Sequence, residues 1–180
     1  METTYLYHYF EKKTGAFVNL SELSTEDAQK IQDQLKTNEK KFASQRNEKY
    51  LPRRQYLEQL VRTMFTSKGG KPIRKKPYYM VIGECPWLAS WFEESAFVKI
   101  PISEFDLKTV SFTYGDMFPT FSPNVNDGME FRNTVYTYDE ILKIIEKYGL
   151  PQDKWEIPVF AQPCYVEAQI WSDIPVKKYS

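Results

Sequence analysis

Apolar residues recur at intervals of three and four along three stretches of the chain, which predicts three main helices. The first, Ser24–Lys36, opens with a capping box and has a narrow apolar stripe. The second, Pro52–Thr66, has a broader stripe and is followed by a glycine pair that ends the pattern. The third, Thr137–Gly149, combines a capping box with the strongest apolar stripe in the chain.

Short runs of aromatic and β-branched residues predict strands between these helices. The five runs are Thr4–Phe10, Pro77–Ile82, Phe97–Ile102, Thr109–Gly115 and Tyr165–Trp171. The last of them alternates, which predicts one buried face and one amphipathic face that carries Glu167. Pro86–Phe92 is typical of a short aromatic helix or turn, and Met117–Arg132 of a long loop or loose hairpin.

Helices and strands do not alternate strictly along the chain, and this order favours an α+β fold with a mostly antiparallel sheet. We expect the three main helices to pack on that sheet. The length of 180 residues suits one domain, 1–180, that buries a sizeable core.

The charges are distributed unevenly although the formal net charge is zero. Segment 36–76 holds thirteen lysines and arginines against three glutamates, a formal charge of +10, so the remainder carries −10. Aromatic residues such as Tyr50, Tyr56 and Phe65 are interleaved with these cations. This composition is typical of surfaces that follow a phosphate backbone and stack on bases.

Nine cations of that segment are the predicted nucleic-acid contacts: Arg46, Lys49, Arg53, Arg54, Arg62, Lys71, Arg74, Lys75 and Lys76. Those on the second helix are expected to point mostly outward, which is also what an ordinary solvated helix face presents. The four from Lys71 to Lys76 lie in a loop bounded by glycine and proline. Loops that expose like charges tend to have an anionic partner, so RNA or a ribonucleoprotein is the expected partner.

The remaining composition narrows the class of protein. No signal peptide and no membrane span is visible, so a cytoplasmic protein with no membrane partner is expected. Cys85 and Cys164 stand far apart in sequence, and with a single histidine they match no usual zinc spacing, so reduced thiols are expected. Common nucleotide-binding, hydrolase and metal signatures are absent. We therefore predict no metal and no cofactor, and the oligomeric state stays open.

Three residues form a candidate catalytic set, namely His8, Tyr114 and Glu167. An imidazole, a phenol and a carboxylate would suffice for metal-free acid/base chemistry on a ribose hydroxyl. His8 shares the apolar side of its strand, which equally suits a hydrogen-bonded core or rim histidine. Glu167 equally suits a rim carboxylate paired with a lysine or arginine. Asp116 and other acids near the long loop could attract Mg²⁺, but they lack a ligand pattern.

Five motifs resemble a family of small proteins from Gram-positive bacteria and their mobile elements: Tyr5–Phe10, Phe42–Arg46, Lys76–Met80, Cys85–Leu88 and Ser111–Asp116. The resemblance covers most of the chain, and the motifs indicate membership without implying a reaction. Size and basic segment are also similar to those of anti-CRISPR proteins that act on type II effector complexes. That similarity implies a Cas9-type guide RNA as the partner, to be masked or cleaved.

A second resemblance is to ADP-ribosyltransferase-like folds, which place a histidine, a tyrosine and a glutamate on separate strands. The matching positions here are His8, Tyr114 and Glu167. The resemblance implies an enzyme that uses NAD, in which His8 orients the ribose, Tyr114 stacks on nicotinamide and Glu167 stabilises the developing cation. A third alternative is a binding module without catalysis, which would meet a protein through its acidic remainder or its aromatic surface.

Overall fold

A computed structural model of the protein describes residues 4–18, 22, 50–154 and 162–180. Within them the strands are β1 Tyr5–Glu11, β2 Tyr78–Ile82, β3 Ser95–Pro101, β4 Val110–Tyr114 and β5 Val166–Ile170. The helices are α1 Tyr50–Ser67, α2 Pro86–Ala89, α3 Met117–Thr120 and α4 Tyr138–Tyr148. The predicted helix Ser24–Lys36 lies outside the described residues, as do Arg46 and Lys49.

All five strands belong to one antiparallel sheet with the order β3-β1-β2-β5-β4. This confirms the α+β class and the antiparallel sheet. β1 and β3 pair along seven residues, from Tyr5 opposite Pro101 to Glu11 opposite Ser95. β1 and β2 pair only at Leu6 with Ile82 and at Tyr7 with Val81. Few residue pairs therefore join β1 to β2 at the centre of the sheet.

The two faces of the sheet are covered by different helices. One face packs against α4, where Ile141 and Ile144 join Met80, Phe112 and Ala168 in an apolar core. On the other face, the apolar stripe of α1 packs against Trp171, with Leu57, Val61 and Phe65. Every residue of β5 is buried, so the prediction of an amphipathic face on this strand was wrong. Alternation alone does not show that a helix covers the polar side as well.

The ends of α1 follow from local chemistry. It begins two residues before the predicted Pro52, which therefore lies in the first turn, where its missing N–H leaves no helical hydrogen bond unmade. The predicted glycine stop is confirmed, because Gly69 has a φ of +87°. A Cβ on Gly70 would come within 2.5 Å of the Phe65 ring. Glycine is thus required where the chain leaves the helix.

The predicted loop Met117–Arg132 contains a feature that the sequence pattern missed. Its first four residues form α3, and the Asp116 carboxylate caps this turn by accepting a hydrogen bond from the Phe118 amide at 2.6 Å. The prediction of an unstructured loop is therefore wrong for these residues. The cap holds Asp116 at the end of β4, beside the site described next.

Candidate functional site

β1 and β2 separate just beyond their two paired residues, and the His8 ring fills part of the gap. Its Nδ1 donates to the Tyr79 carbonyl at 2.8 Å, and its Nε2 accepts from the Phe17 amide at 2.9 Å. The ring also stacks on Phe17, with 4.2 Å between ring centroids. A side chain thus replaces the next hydrogen bond of the ladder and keeps the two strands apart.

Both nitrogens of His8 are committed to the backbone, which fixes the neutral ring with its proton on Nδ1. Burial lowers the pKa of His8 to about 4, although the hydrogen bond to Tyr79 acts in the opposite direction. The geometry is that of a hydrogen-bonded interior histidine. For His8 to contact a ligand through nitrogen, one of these backbone hydrogen bonds would have to break.

Where the strands diverge, a cavity of about 210 Å³ opens. Its walls are mainly aromatic, with rings from β1, α1, α3 and the segments beside β3 and β5. The aromatic residues that line it include Tyr7, Tyr9, Tyr50, Trp91, Phe118 and Tyr165. The charged groups that line it are Arg54, Asp116 and Glu167. An apolar pocket with a few convergent polar groups is the usual form of a ligand site.

Glu167 is the most unusual of these groups, because only 6% of its surface is exposed. Its Oε1 accepts a hydrogen bond from Gln169 Nε2 at 3.0 Å. Burial, followed by the charge of Asp116, raises its pKa well above the ordinary value, while Gln169 and Arg54 act in the opposite direction. Glu167 is therefore a buried acid held by the Gln169 amide rather than a carboxylate at the rim, and its surroundings favour the neutral form.

Arg54 enters the same region from α1 and is held in a buried network. Its Nε donates to Glu58 at 3.1 Å, and its guanidinium lies 4.6 Å from the centre of the Tyr79 ring. The Tyr79 hydroxyl donates to the same Glu58 oxygen at 2.7 Å, and Lys76 Nζ lies 3.1 Å from the other oxygen. The prediction that Arg54 points outward was wrong, since Glu58 lies one helical turn away and is fully buried.

Asp116 and Tyr165 complete the polar wall. The Tyr165 hydroxyl donates to Asp116 Oδ2 at 3.2 Å, while Asp116 Oδ1 caps α3. Burial raises the pKa of Tyr165 well above its ordinary range, so the phenol keeps its proton.

Tyr114 does not join this site. Its side chain belongs to the apolar core on the opposite face of the sheet, where its ring lies 4.9 Å from that of Phe131. Its hydroxyl donates to the Gly149 carbonyl at 2.8 Å, and burial raises its pKa to about 12. Of the three candidate catalytic residues, the structure brings His8 and Glu167 to one cavity and leaves Tyr114 outside it.

Most described cations of segment 36–76 are occupied within the protein. Arg53 donates to the Phe121 carbonyl at 2.8 Å, and Arg62 donates to the carbonyls of Pro72 and Arg74. Arg74 forms ion pairs with Asp173 and Glu22 and stacks 3.8 Å from the centre of the Tyr78 ring. Arg62 and Arg74 thereby hold the loop after α1 in place, whereas Arg53 ties α1 to the end of α3.

Lys71 and Lys75 differ from their neighbours. Both side chains are exposed, and the described part of the chain supplies no ion pair to either of them. They are the described cations of this segment that stay available to an external anion.

Sequence reasoning missed the role of Gln169, Asp116 and Tyr165 at the cavity. A signal for Gln169 was present, because Glu167, Gln169 and Trp171 alternate on one side of β5 and must therefore face the same neighbours. No comparable signal exists for Asp116, whose position depends on how β4 and β5 pair.

Within the described ranges, no group of three or more histidine, cysteine, aspartate or glutamate side chains could hold a metal ion. No helix of that same part is long and apolar enough to cross a membrane. Comparisons with models of protein families, with curated proteins and with solved structures find no match for this chain.

Proposed function

We propose that the protein binds single-stranded RNA and holds one unpaired base in the cavity between β1 and β2. The observation that carries this proposal is the aromatic lining of a cavity that also contains the buried acid Glu167. Unstacked RNA bases are typically recognised by stacking on aromatic side chains and by hydrogen bonds to their edges. The cavity offers both kinds of contact.

The volume of the cavity suits a ligand with a single ring system, such as one base. Sites for drug-sized ligands usually enclose about 300–1,000 Å³, whereas this cavity encloses about 210 Å³. A base fits such a volume more readily than a whole dinucleotide.

The exposed lysines supply the contacts for the phosphate backbone. Lys71 and Lys75 are exposed, and Arg46 and Lys49 precede Tyr50 of the cavity wall in the sequence. Because the other arginines are occupied internally, we expect few phosphate contacts. The log–log dependence of affinity on salt should then have a slope of about −1 to −3, given about −0.7 per contact on single strands.

A fluorescence anisotropy titration with labelled single-stranded RNA at low salt tests the proposal. Tyr50→Ala removes a cavity ring and should weaken binding about 5- to 100-fold, since stacking contributes about 1–3 kcal/mol per base. Tyr56→Ala is the matched control, because Tyr56 lies on the same helix, is 58% exposed and does not line the cavity. Absence of binding, or equal losses in both variants, would contradict the proposal.

Two further measurements identify which RNA is bound and whether binding masks or cleaves it. The sequence resemblance to anti-CRISPR proteins makes the guide RNA of a Cas9-type complex the natural RNA to compare with an unrelated strand. The length of the RNA after incubation with EDTA distinguishes masking from metal-independent cleavage. An intact strand that stays bound supports masking.

A second candidate is an enzyme that uses NAD, which is favoured by the presence of His8 and Glu167 at one cavity. The occupied nitrogens of His8 and the remote position of Tyr114 remove two of its expected contacts. NAD that binds only the folded protein should raise the melting temperature. An unchanged melting temperature across millimolar NAD would exclude this candidate.

A further inference from the structure

A chain of buried hydrogen bonds runs from Glu167 along the sheet beneath α1. Trp171 Nε1 donates to Ser111 Oγ at 2.8 Å, and Ser111 Oγ donates to Gln169 Oε1 at 2.7 Å. Gln169 Nε2 then donates to Thr113 Oγ1 and to Glu167 Oε1, both at 3.0 Å. Trp171, Ser111, Gln169 and Thr113 have no measurable exposure. We refer to this chain as the Trp171–Glu167 relay.

The direction of the relay is fixed, because the Trp171 indole at one end can only donate and the Gly115 carbonyl, which is bonded to Thr113, can only accept. The Trp171 indole has no acceptor, so Ser111 must accept from it and can pass its own proton to Gln169. At the far end, the Thr113 hydroxyl donates to the Gly115 carbonyl at 2.8 Å. If the Gln169 amide turned over, Ser111 Oγ would face two donors, and its own proton would lose its acceptor in the relay.

The direction of the relay determines which oxygen of Glu167 carries a proton. Oε1 faces an N–H of Gln169 and must accept, so the proton of the neutral acid resides on Oε2. The described residues provide no hydrogen-bond partner for Oε2, and Glu167 lines the cavity. Oε2 is thus the oxygen left for a ligand.

The groups that face Glu167 come from four elements. Asp116 precedes α3, Arg54 and Glu58 belong to α1, Tyr79 belongs to β2, and Tyr165 directly precedes β5. Asp116 and Glu58 oppose ionisation of Glu167, and Arg54 favours it. Burial is the largest effect and raises the pKa of Glu167, which favours the protonated acid.

We infer that Glu167 donates a hydrogen bond from Oε2 into the cavity, positioned by the Trp171–Glu167 relay, and that the cavity selects a neutral nucleobase that presents a ring nitrogen or carbonyl as acceptor. This inference rests on the proposed binding of an unpaired base. It also distinguishes the ligand from a cationic nicotinamide ring, for which a neutral acid offers no charge attraction.

Adenosine hexamers provide the first test, because adenine has three ring-nitrogen acceptors, N1, N3 and N7. Three further hexamers carry 1-deaza-, 3-deaza- or 7-deazaadenosine, each of which replaces one acceptor by carbon. We expect one of the three to bind about 3- to 10-fold more weakly than the parent, which is the usual value of one neutral hydrogen bond. Affinity of the parent should fall as pH rises, because ionised Glu167 has no proton to donate.

The Glu167→Gln variant keeps a hydrogen-bond donor at this position but removes the carboxyl group that titrates. The relay would orient the new amide with its oxygen toward Gln169 and its NH₂ toward the cavity, which preserves a donor at the same place. We expect affinity within about 3-fold of the parent protein at low pH, and no decrease as pH rises. Loss of binding in this variant at all pH values would overturn the inference.

Ser111→Ala tests the positioning role. Without the serine, the Gln169 amide can turn over and accept from Glu167, which moves the proton to Oε1 and leaves Oε2 as an acceptor. A folded variant should then no longer discriminate between adenosine and the sensitive deaza analogue, an effect that simple destabilisation would not cause. Trp171→Phe removes the donor at the other end and is the second variant, should Ser111→Ala not fold.

The outcomes separate the two proposals. If neither the hexamers nor the labelled single-stranded RNA of the anisotropy titration binds at any pH, both the proposed function and this inference are overturned. If the hexamers bind with equal affinity, or if the affinity rises with pH, the inference alone is overturned, because Glu167 then acts as an acceptor or has no contact.

Discussion

The same strands build two buried faces that differ in chemistry. Toward α4, β5 presents Val166, Ala168 and Ile170, all of which pack into an apolar core. Toward α1, the same strand presents Glu167 and Gln169, which are equally buried but polar. The apolar face gains free energy from burial itself, whereas the polar face must recover the cost of desolvation through hydrogen bonds.

This difference indicates what each face is for. A buried polar network is weak evidence for stability, because apolar residues of similar volume often serve as well or better. It does hold particular groups in particular orientations. The face toward α4 therefore stabilises the fold, and the face toward α1 positions Glu167 at the cavity.

The largest effect is expected on the apolar face. Phe112→Ala removes a fully buried ring and should lower the free energy of unfolding by about 3–5 kcal/mol, through lost burial and a residual cavity. Denaturant unfolding measures the change. Ser111→Ala, on the adjacent residue and opposite face, should cost about 1–3 kcal/mol through unsatisfied partners. Equal losses would contradict the contrast between the faces.

An intermediate effect is expected in the charged network of the polar face. Glu58→Gln leaves Arg54 without its buried counter-charge and should cost about 3 kcal/mol. The double variant Arg54→Met/Glu58→Leu removes the buried pair, leaves only the partly exposed Lys76 of this network charged, and should recover most of that loss in the same denaturation experiment. Failure to recover would mean that the network itself stabilises the fold.

A smaller effect than that of Phe112→Ala is expected at His8, and it depends on pH. The pKa of His8 is about 4 in the folded protein and about 6.5 when the chain is unfolded, so the unfolded state binds more protons between these values. Stability should be intact above pH 6.5 and should fall by about 2–3 kcal/mol as pH decreases to 4. Thermal denaturation across this range measures the decrease.

His8→Asn is the control for that titration. Its amide can donate to the Tyr79 carbonyl in place of Nδ1 but has no proton to gain. The part of the pH dependence due to His8 should disappear in this variant. An unchanged pH profile would show that other groups cause the decrease.

Local features of the fold were predictable from the sequence. The helices α1 and α4 follow from apolar spacing and from their termini, because these signals act over one or two turns. The strands were also found, since their β-branched and aromatic residues are concentrated in short runs. The extra turn α3 was missed, because a cap of a single turn gives little periodic signal.

The site was less predictable, because it depends on contacts that are distant in sequence. The cavity exists because β1 stops pairing with β2, and 71 positions separate His8 from its partner Tyr79. Arg74 was assigned to an external phosphate, but it meets Asp173, which follows it by 99 positions. Sequence composition identifies a charge but not the residue that neutralises it.

The short pairing between β1 and β2 also has a mechanical consequence. The sheet consists of two panels, β3-β1 and β2-β5-β4, joined by two residue pairs, by the hydrogen bond from the Gly83 amide to the Tyr5 carbonyl and by the imidazole of His8. Low-energy fluctuations concentrate where few interactions must break, and this seam is the boundary of the cavity. Transient opening of this seam would let a planar ligand enter with its edge first, without unfolding either panel.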